Sequence, residues 1–373
     1  MSDLKKTKTP KRQRLFPFYL YVIWGILLLS IAVYIAALSS EKFADFYNRY
    51  PGAFVRALLA HLTSLLPISL AELLIILSPA ALTLAIVYVV RKVHPTKRST
   101  LVFCVSLVTC ASLFFSVFVL GFGCGYHGST LDEKMGLDKK PVSVAELEDT
   151  ALWLSAHVKS EIDNIEFDET DFSKMPYSLS VLNKKLLEAY DKVCDEYDFI
   201  QMLKSRIKPV MLSEALSYTH ITGVYTSFSG EANLNVNFPD YTLPFTAAHE
   251  LAHQRGIARE DEANFVAFLV CISSDDPYIR YSGYLNMFEY VAPNIYYASA
   301  DKYWAVMDSL PHQARDEIYA YADFFEKYQD SVVGEISESV NNGYLQMQGT
   351  VGTKSYGLVV DLTVAYFNSK IKE

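Results

Sequence analysis

The chain has 373 residues, of which 51% are hydrophobic, and its formal net charge at pH 7 is −9. Basic residues outnumber acidic ones in the first 125 residues, whereas acidic residues dominate the remainder. This acidic balance disfavours nucleic acid as a partner, because binding to phosphates needs clustered Lys and Arg. The five cysteines are too few and too scattered for a disulfide framework.

Three long apolar runs predict that residues 1–125 form a membrane anchor. The runs cover residues 16–38, 65–90 and 101–125, and each is long enough to cross a hydrocarbon core of about 30 Å as a helix. The first run is longer than the apolar core of a cleaved signal peptide, so we expect the mature protein to retain it. The lipid bilayer is therefore an expected partner.

The distribution of Lys and Arg predicts how the anchor is oriented. Both are dense before the first run and in the short loop between the second and third runs, whereas the loop of residues 39–64 has fewer, partly balanced by acidic residues. Basic loops stay on the cytoplasmic side of a membrane. The N-terminus is therefore expected in the cytoplasm, and residues 126–373 are expected to form an extracytoplasmic domain.

Residues 126–373 are predicted to form an α+β domain that is mostly helical. Ser143 and Glu146 form a capping box for one helix, and a second is expected at residues 178–195. Alternation of apolar and polar residues over 219–228 and 232–238 predicts a β-hairpin, and hence a small antiparallel sheet. Further helices are expected from residue 276, over 302–310 and 313–329, and over 355–368.

The segment His249-Glu250-Leu251-Ala252-His253 predicts a metal site. It lies in an apolar run typical of a buried helix, so that His249 and His253 project from one helix face. Two imidazoles one turn apart supply half of a tetrahedral zinc shell, and we expect one Zn²⁺ per chain. Glu250 fits the general base that takes a proton from zinc-activated water.

A third protein ligand is expected from the next helix, because Gly256 ends the first one. The spacing of Glu260 and Asn264 resembles the Glu-x-x-x-Asp arrangement of the gluzincins, the thermolysin-like superfamily. In those proteins the Glu binds zinc and the acidic residue orients a ligand histidine. The resemblance implies that Glu260 is the third ligand and that Asn264 orients a histidine. Glu262, about 200° further round the helix, is the alternative ligand.

Peptide hydrolysis also needs a group that stabilises the negative charge developing on the attacked carbonyl oxygen. Arg280, Tyr281 and Tyr284 follow the two motif helices and are the candidates for this role. Packing is the competing interpretation of the two tyrosines, because the chain has 26 of them.

The chain as a whole resembles a bacterial family of uncharacterised, membrane-anchored zinc metallopeptidases. The resemblance rests on the three apolar runs, the His-Glu-Leu-Ala-His-Gln-x-Gly segment and the Glu-x-Glu-Ala-Asn segment at 260–264. It implies a zincin-like domain on the outer face of the cytoplasmic membrane that cleaves a peptide or protein substrate. The alternatives are a membrane sensor and a domain whose zinc is structural. Glu250 favours the enzyme, because a structural site needs no base.

Overall fold

The computed structural model describes residues 16–92 and 96–371, so the basic N-terminal tail used to predict orientation lies outside the described residues. Three long apolar helices are joined to a mostly helical body that contains one small sheet. The helices are α1 (Phe18–Ser39), α2 (Glu41–Tyr47), α3 (Ala53–Ser64), α4 (Leu70–Lys92), α5 (Lys97–Gly121), α6 (Leu131–Met135), α7 (Val144–Glu161), α8 (Leu179–Glu196), α9 (Ser213–Ser217), α10 (Thr242–Gln254), α11 (Glu260–Ile272), α12 (Pro277–Tyr296), α13 (Ala300–Ser309), α14 (His312–Gln329), α15 (Val332–Met347) and α16 (Val359–Tyr366).

The three apolar runs form α1, α4 and α5. These helices contain segments long and apolar enough to cross a membrane, at Phe18–Ser39, Leu70–Tyr88 and Ser99–Gly121. The second helix begins later than predicted, at Leu70, because Pro67 lies in the turn before it. Helices α1 and α5 pack together, and the indole N–H of Trp24 donates a hydrogen bond to Thr109 Oγ1 at 3.0 Å.

The connection between α1 and α4 is helical, and one side of it is buried. Helices α2 and α3 are joined by a π-helical turn, Asn48–Gly52. Arg56 on α3 is 1% exposed, and its Nη1 donates to the carbonyl oxygen of Gly121, at the end of α5, at 2.9 Å. Asn48 Nδ2 donates to the carbonyl oxygen of Gly256 at 2.9 Å. The connection therefore ties α5 to the chain that follows α10.

The sheet has three strands, β1 (Ile207–Pro209), β2 (Gly223–Thr226) and β3 (Glu231–Leu234), in the order β1-β3-β2. Strands β2 and β3 form the predicted hairpin and pair antiparallel. Strand β1 pairs parallel with β3, so the sheet is mixed and the prediction of an antiparallel sheet was wrong in this respect. A strand of three residues is too short to show the alternation by which strands are found in a sequence.

Buried charges fasten the sheet to α4. Lys208 on β1 and Glu231 on β3 form an ion pair of 2.5 Å, and both side chains are almost fully buried. The Glu231 carboxylate also accepts hydrogen bonds from the backbone N–H groups of Leu70 and Ala71. These groups have no partner within their own helix, and the helix dipole favours negative charge beside them. The long apolar helices and the body are thus joined by buried polar contacts.

The main core forms where α10 and α11 pack against α8 and α12, and where α12 packs against α7. All of α10 is buried, and its alanines allow close approach of the neighbouring helices and of β3. Helix α7 begins directly after the predicted capping box, with the hydroxyl of Ser143 accepting a hydrogen bond from the backbone N–H of Glu146. Because α10 and α11 lie inside the body, their polar side chains need partners there, and Gln254, for example, donates a hydrogen bond to the carbonyl oxygen of Gly230.

Candidate metal centre

The two histidines of the motif lie one turn apart on α10, and Glu260 is the first residue of α11. Gly256 makes this corner possible because it adopts a φ of +93°, a left-handed conformation that disfavours other residues. All three side chains are less than a tenth exposed. The tight corner folds the start of α11 back against the end of α10, which brings a carboxylate to the pair of imidazoles.

The ligand atoms of the three side chains all lie within 4.8 Å of one another, and two of the three distances match those of a tetrahedral zinc ion. Nε2 of His249 is 3.2 Å from Oε2 of Glu260, and Nε2 of His253 is 3.3 Å from the same oxygen. Zinc with ligand bonds of about 2.0–2.1 Å holds neighbouring ligand atoms about 3.3 Å apart. In the part of the chain that the structure describes, this is the one cluster of three His, Cys, Asp or Glu found to converge in this way.

A backbone carbonyl orients one of the two imidazoles. Nδ1 of His253 donates a hydrogen bond to the carbonyl oxygen of Ile257 at 2.7 Å, which leaves the lone pair of Nε2 free for a metal. Asn264 acts to raise the pKa of His249, but burial and the charge of His253 outweigh this effect. His249 Nδ1 nevertheless makes no hydrogen bond of normal geometry to a described residue.

The charges of the three groups act strongly on one another. Burial alone would lower the pKa of His253, but the carboxylate of Glu260 raises it to about 9. Burial would raise the pKa of Glu260, but His253 and His249 hold it well below its usual range. Burial and the charge of His253 lower the pKa of His249. Such mutual perturbation is typical of functional sites, and binding of a cation there displaces the proton.

Glu250 lies against the cavity-facing strand β2. A Cβ atom added to Gly223 would lie 2.6 Å from Oε1 of Glu250, so a glycine is needed beside this carboxylate. Burial raises the pKa of Glu250 to about 8. Its Oε2 has no hydrogen-bond partner among the described residues. The side chain of Glu250 therefore lies fixed beside β2, and one of its oxygens makes no hydrogen bond to the described residues.

His249, His253 and Glu260, here called the metal cluster because they could hold a metal ion, line a cavity of about 850 Å³ together with Glu250. This volume is within the usual size range of ligand sites. One wall is β2, an edge strand of the sheet, together with residues 219–222. Helices α12 and α15 form further walls, and Phe122 and Tyr126 close the side next to the end of α5. The ring of Phe122 also contacts the imidazole of His253, with centroids 5.8 Å apart. The cavity is therefore adjacent to the third long apolar helix.

A family model described as "Protein of unknown function (DUF3810)" matches residues 47–364. The chain belongs to this family. The match includes α4, α5 and the whole metal cluster. No curated protein and no solved structure matches the chain. Because the DUF3810 description assigns no activity, the function has to be argued from the site itself.

Several cavity residues of this DUF3810 protein were missing from the sequence predictions. Tyr290 and Tyr344 line the cavity, and burial, together with the charge of Glu260, raises their pKa values to about 12. Burial raises the pKa of Glu289 to about 8, and the hydroxyl of Tyr241 donates to this carboxylate at 3.2 Å. No motif marks these residues, because the folding of α12 and α15 around α10 brings them to the cavity.

The structure distinguishes between the two predicted third ligands. Glu262 faces away from the histidines, and its Oε1 accepts hydrogen bonds from the backbone N–H of Leu131 at 2.9 Å and from Arg259 at 3.0 Å. Glu260 alone of the two approaches the imidazoles. The difference of about 200° around α11 explains why neighbouring carboxylates have different partners.

The three candidates for stabilising the oxyanion do not line the cavity, so this prediction was wrong. Arg280 forms two hydrogen bonds with the Glu161 carboxylate, at 2.7 and 2.8 Å. The hydroxyl of Tyr281 donates to Glu317, and the ring of Tyr284 packs on that of His157. This part of α12 faces α7 and α14, whereas the cavity is lined by a later part, which includes Asn286, Glu289 and Tyr290.

Proposed function

We propose that this DUF3810 protein is a membrane-anchored zinc metallopeptidase that hydrolyses peptide bonds. The observation that carries the proposal is the convergence of His249, His253 and Glu260 beside a cavity that Glu250 also lines. Structural zinc sites have four protein ligands, whereas catalytic sites have three and an open position. Among the described residues, no fourth His, Cys, Asp or Glu joins the cluster.

The residues around the cluster supply the other requirements of peptide hydrolysis. A zinc ion bound by the three ligands would polarise the substrate carbonyl and lower the pKa of water to about 7. Glu250 would accept a proton from the attacking water and deliver it to the leaving amine. The hydroxyl of Tyr290 replaces the earlier candidates as the donor to the developing oxyanion, because it lies on the cavity wall near Glu260.

The arrangement of elements supports a zincin-like site. Strand β2 is an edge strand that lines the cavity, α10 carries both histidines and Glu250, and α11 supplies the third ligand. A free strand edge beside the metal can align an extended peptide through backbone hydrogen bonds. The substrate is therefore a peptide or protein segment that enters the cavity in an extended conformation.

The proposed location is the cytoplasmic membrane of a bacterium, with the cavity on the outer face. The cavity lies at the Gly121 end of α5, and α4 ends in Arg91 and Lys92, next to the loop before α5. Basic residues at that opposite end favour placing it in the cytoplasm. The N-terminus then also lies inside, and three crossings bring the body outside.

The test compares the full-length parent with Glu250→Gln, purified in detergent, on a broad peptide library. Gln keeps the size of the side chain but cannot take a proton, so we expect cleavage to fall by about 10²–10⁴-fold. Zinc content, measured on the same samples, should be equal because Glu250 is not a ligand. Equal cleavage by the two proteins, or no cleavage by either, would contradict the proposal.

A further inference from the structure

One exposed side of the segment between α1 and α4 is apolar. Exposed large apolar or aromatic side chains recur at every third or fourth position, so they share one side of the helical segment. They are Phe46, Tyr50, Phe54, Leu58, Leu62 and Leu65. Within α3, the one exposed polar residue is His61, and no Asp, Glu, Lys or Arg is exposed. We refer to these six side chains as the apolar stripe.

Buried contacts prevent the stripe from turning inwards. The opposite side of α3 carries the buried Arg56, whose guanidinium donates to the carbonyl oxygens of Gly121 and Asn48. The same side packs closely on the β2–β3 turn, where a Cβ atom added to Gly230 would lie 2.7 Å from Cβ of Leu59. The orientation of α3 is therefore fixed, with the stripe on the outside.

The segment lies beside the long apolar helices. It begins just after the end of α1 at Ser39 and ends just before α4 begins at Leu70. Phe228, in the turn between β2 and β3, packs on Phe114 of α5, with ring centroids 5.4 Å apart. Phe114 lies seven residues before the end of α5, which is about 10 Å along the helix axis. The β2–β3 turn therefore reaches down the side of a candidate membrane span.

We propose that α3 is an interfacial helix whose apolar stripe is buried in one leaflet of the bilayer, the leaflet in which α1 ends and α4 begins. A helix of 12 residues is about 18 Å long and cannot cross a core of about 30 Å. Amphipathic helices of this kind lie in the membrane surface with their apolar face at the boundary of the acyl chains. Aromatic residues at the start of the stripe suit the level of the headgroups.

Lipid is the occupant that the surroundings favour over a second copy of the chain. The stripe is continuous with the exposed apolar surfaces of α1, α4 and α5, which lie on both sides of it in the sequence. A protein partner would have to exclude lipid from a surface that borders three candidate spans. The arrangement also places the metal cavity next to the bilayer, because Phe122 directly follows α5 and lines the cavity.

The test uses the full-length chain in phosphatidylcholine nanodiscs, which leave both membrane faces open to the solvent. A fluorescent bimane label is attached at Leu58→Cys, after replacement of the exposed Cys104 and Cys110 by Ser. The matched control is Leu152→Cys, since Leu152 is an exposed leucine on α7 of the body. A label at Leu62→Cys gives an independent measurement if the first variant does not fold.

We expect brominated acyl chains to quench the labels at positions 58 and 62 several-fold more strongly than the label at position 152. Iodide in the aqueous phase should show the opposite order. Equal quenching of all labels by the brominated lipid would overturn the inference. Labels at 58 and 62 that escape the lipid quencher but cross-link between two copies of the chain would assign the stripe to a dimer interface and would also overturn it.

Discussion

Helix α12 packs beside two clusters of buried polar side chains, and the two differ in how completely their hydrogen bonds are made. In the first cluster, Glu317 accepts hydrogen bonds from the backbone N–H and the hydroxyl of Ser173, both at 2.7 Å, and from the hydroxyl of Tyr281. The hydroxyls of Ser173 and Tyr278 are also hydrogen-bonded to each other. None of these four residues lines the metal cavity.

The metal cluster has the opposite character. His249 Nδ1 and Glu250 Oε2 are buried without a hydrogen-bond partner among the described residues, and both side chains line the cavity. Buried polar groups are normally paired, so the completed network around Glu317 indicates a structural role, and the cluster with unpaired atoms is the better candidate for binding a ligand. Two buried polar clusters of the same body therefore have different expected roles.

The largest expected effect is a loss of peptide cleavage in a variant of one α12 tyrosine but not in the same variant of another. Tyr290→Phe removes the proposed donor to the oxyanion, and we expect kcat for peptide cleavage to fall by about 10²-fold. Tyr281→Phe should leave kcat close to the parent value and instead destabilise the fold by about 1–3 kcal/mol, because Glu317 loses a donor. Cleavage rates and melting temperatures of both variants measure this contrast, and equal losses of activity would remove the distinction.

A smaller loss of cleavage is expected from a neighbouring substitution that shifts the side chain of Glu250 but leaves this residue unchanged. In Gly223→Ala, the new methyl group would lie 2.6 Å from Oε1 of Glu250 and must displace the carboxylate. A shift of about 1 Å in a catalytic group can lower the rate by about 10²-fold, so we expect a loss of 10–100-fold with zinc content unchanged. Gly343→Ala on α15 is the control, because its Cβ atom would meet nothing within 4 Å. If both variants cleave at the parent rate, Gly223 does not position Glu250.

The smallest expected effect is on the pH dependence of stability, and it comes from Glu317 in the first cluster. Burial raises the pKa of Glu317 from its ordinary value of 4.5 to about 7, so the folded state binds this proton more tightly than the unfolded state. The resulting stabilisation is complete below pH 4.5, declines as the pH rises, and is lost above about 7; it amounts to at most about 3 kcal/mol.

The variant Glu317→Gln has no such proton. The melting temperature in detergent should therefore fall more between pH 5 and pH 8 in the parent than in Glu317→Gln. Zinc content and cleavage should be little changed in this variant, since Glu317 lies outside the cavity. Identical pH dependence in the two proteins would show that Glu317 does not titrate in this range.

Local patterns in the sequence were sufficient to predict part of the structure. Apolar length predicted the three long helices, the capping box predicted the start of α7, and the spacing of His249 and His253 predicted a shared helix face. Each of these depends on residues within a few turns of one another. The choice of Glu260 over Glu262 needed the family resemblance as well as the spacing.

The remaining features depend on contacts between distant segments. Arg56 lies in the segment that the sequence predicts to be a loop between two apolar runs. It is nevertheless buried, because the carbonyl oxygens of Gly121 and Asn48 accept its hydrogen bonds. Tyr281 and Tyr290 are alike in sequence, and only the packing of α12 against α10 and α14 separates a structural tyrosine from a cavity tyrosine. The periodicity of apolar residues shows which face of a helix is buried, but it does not show which segment packs against that face.

The metal content of matched variants tests the central claim most directly. The full-length parent, Glu260→Gln and Glu262→Gln are equilibrated with zinc, dialysed and measured for bound metal and melting temperature. The account predicts one zinc per chain in the parent and in Glu262→Gln, and an affinity lower by about 100-fold or more in Glu260→Gln, which loses a ligand. Stoichiometric zinc in a folded Glu260→Gln, or no zinc in the parent, would contradict it.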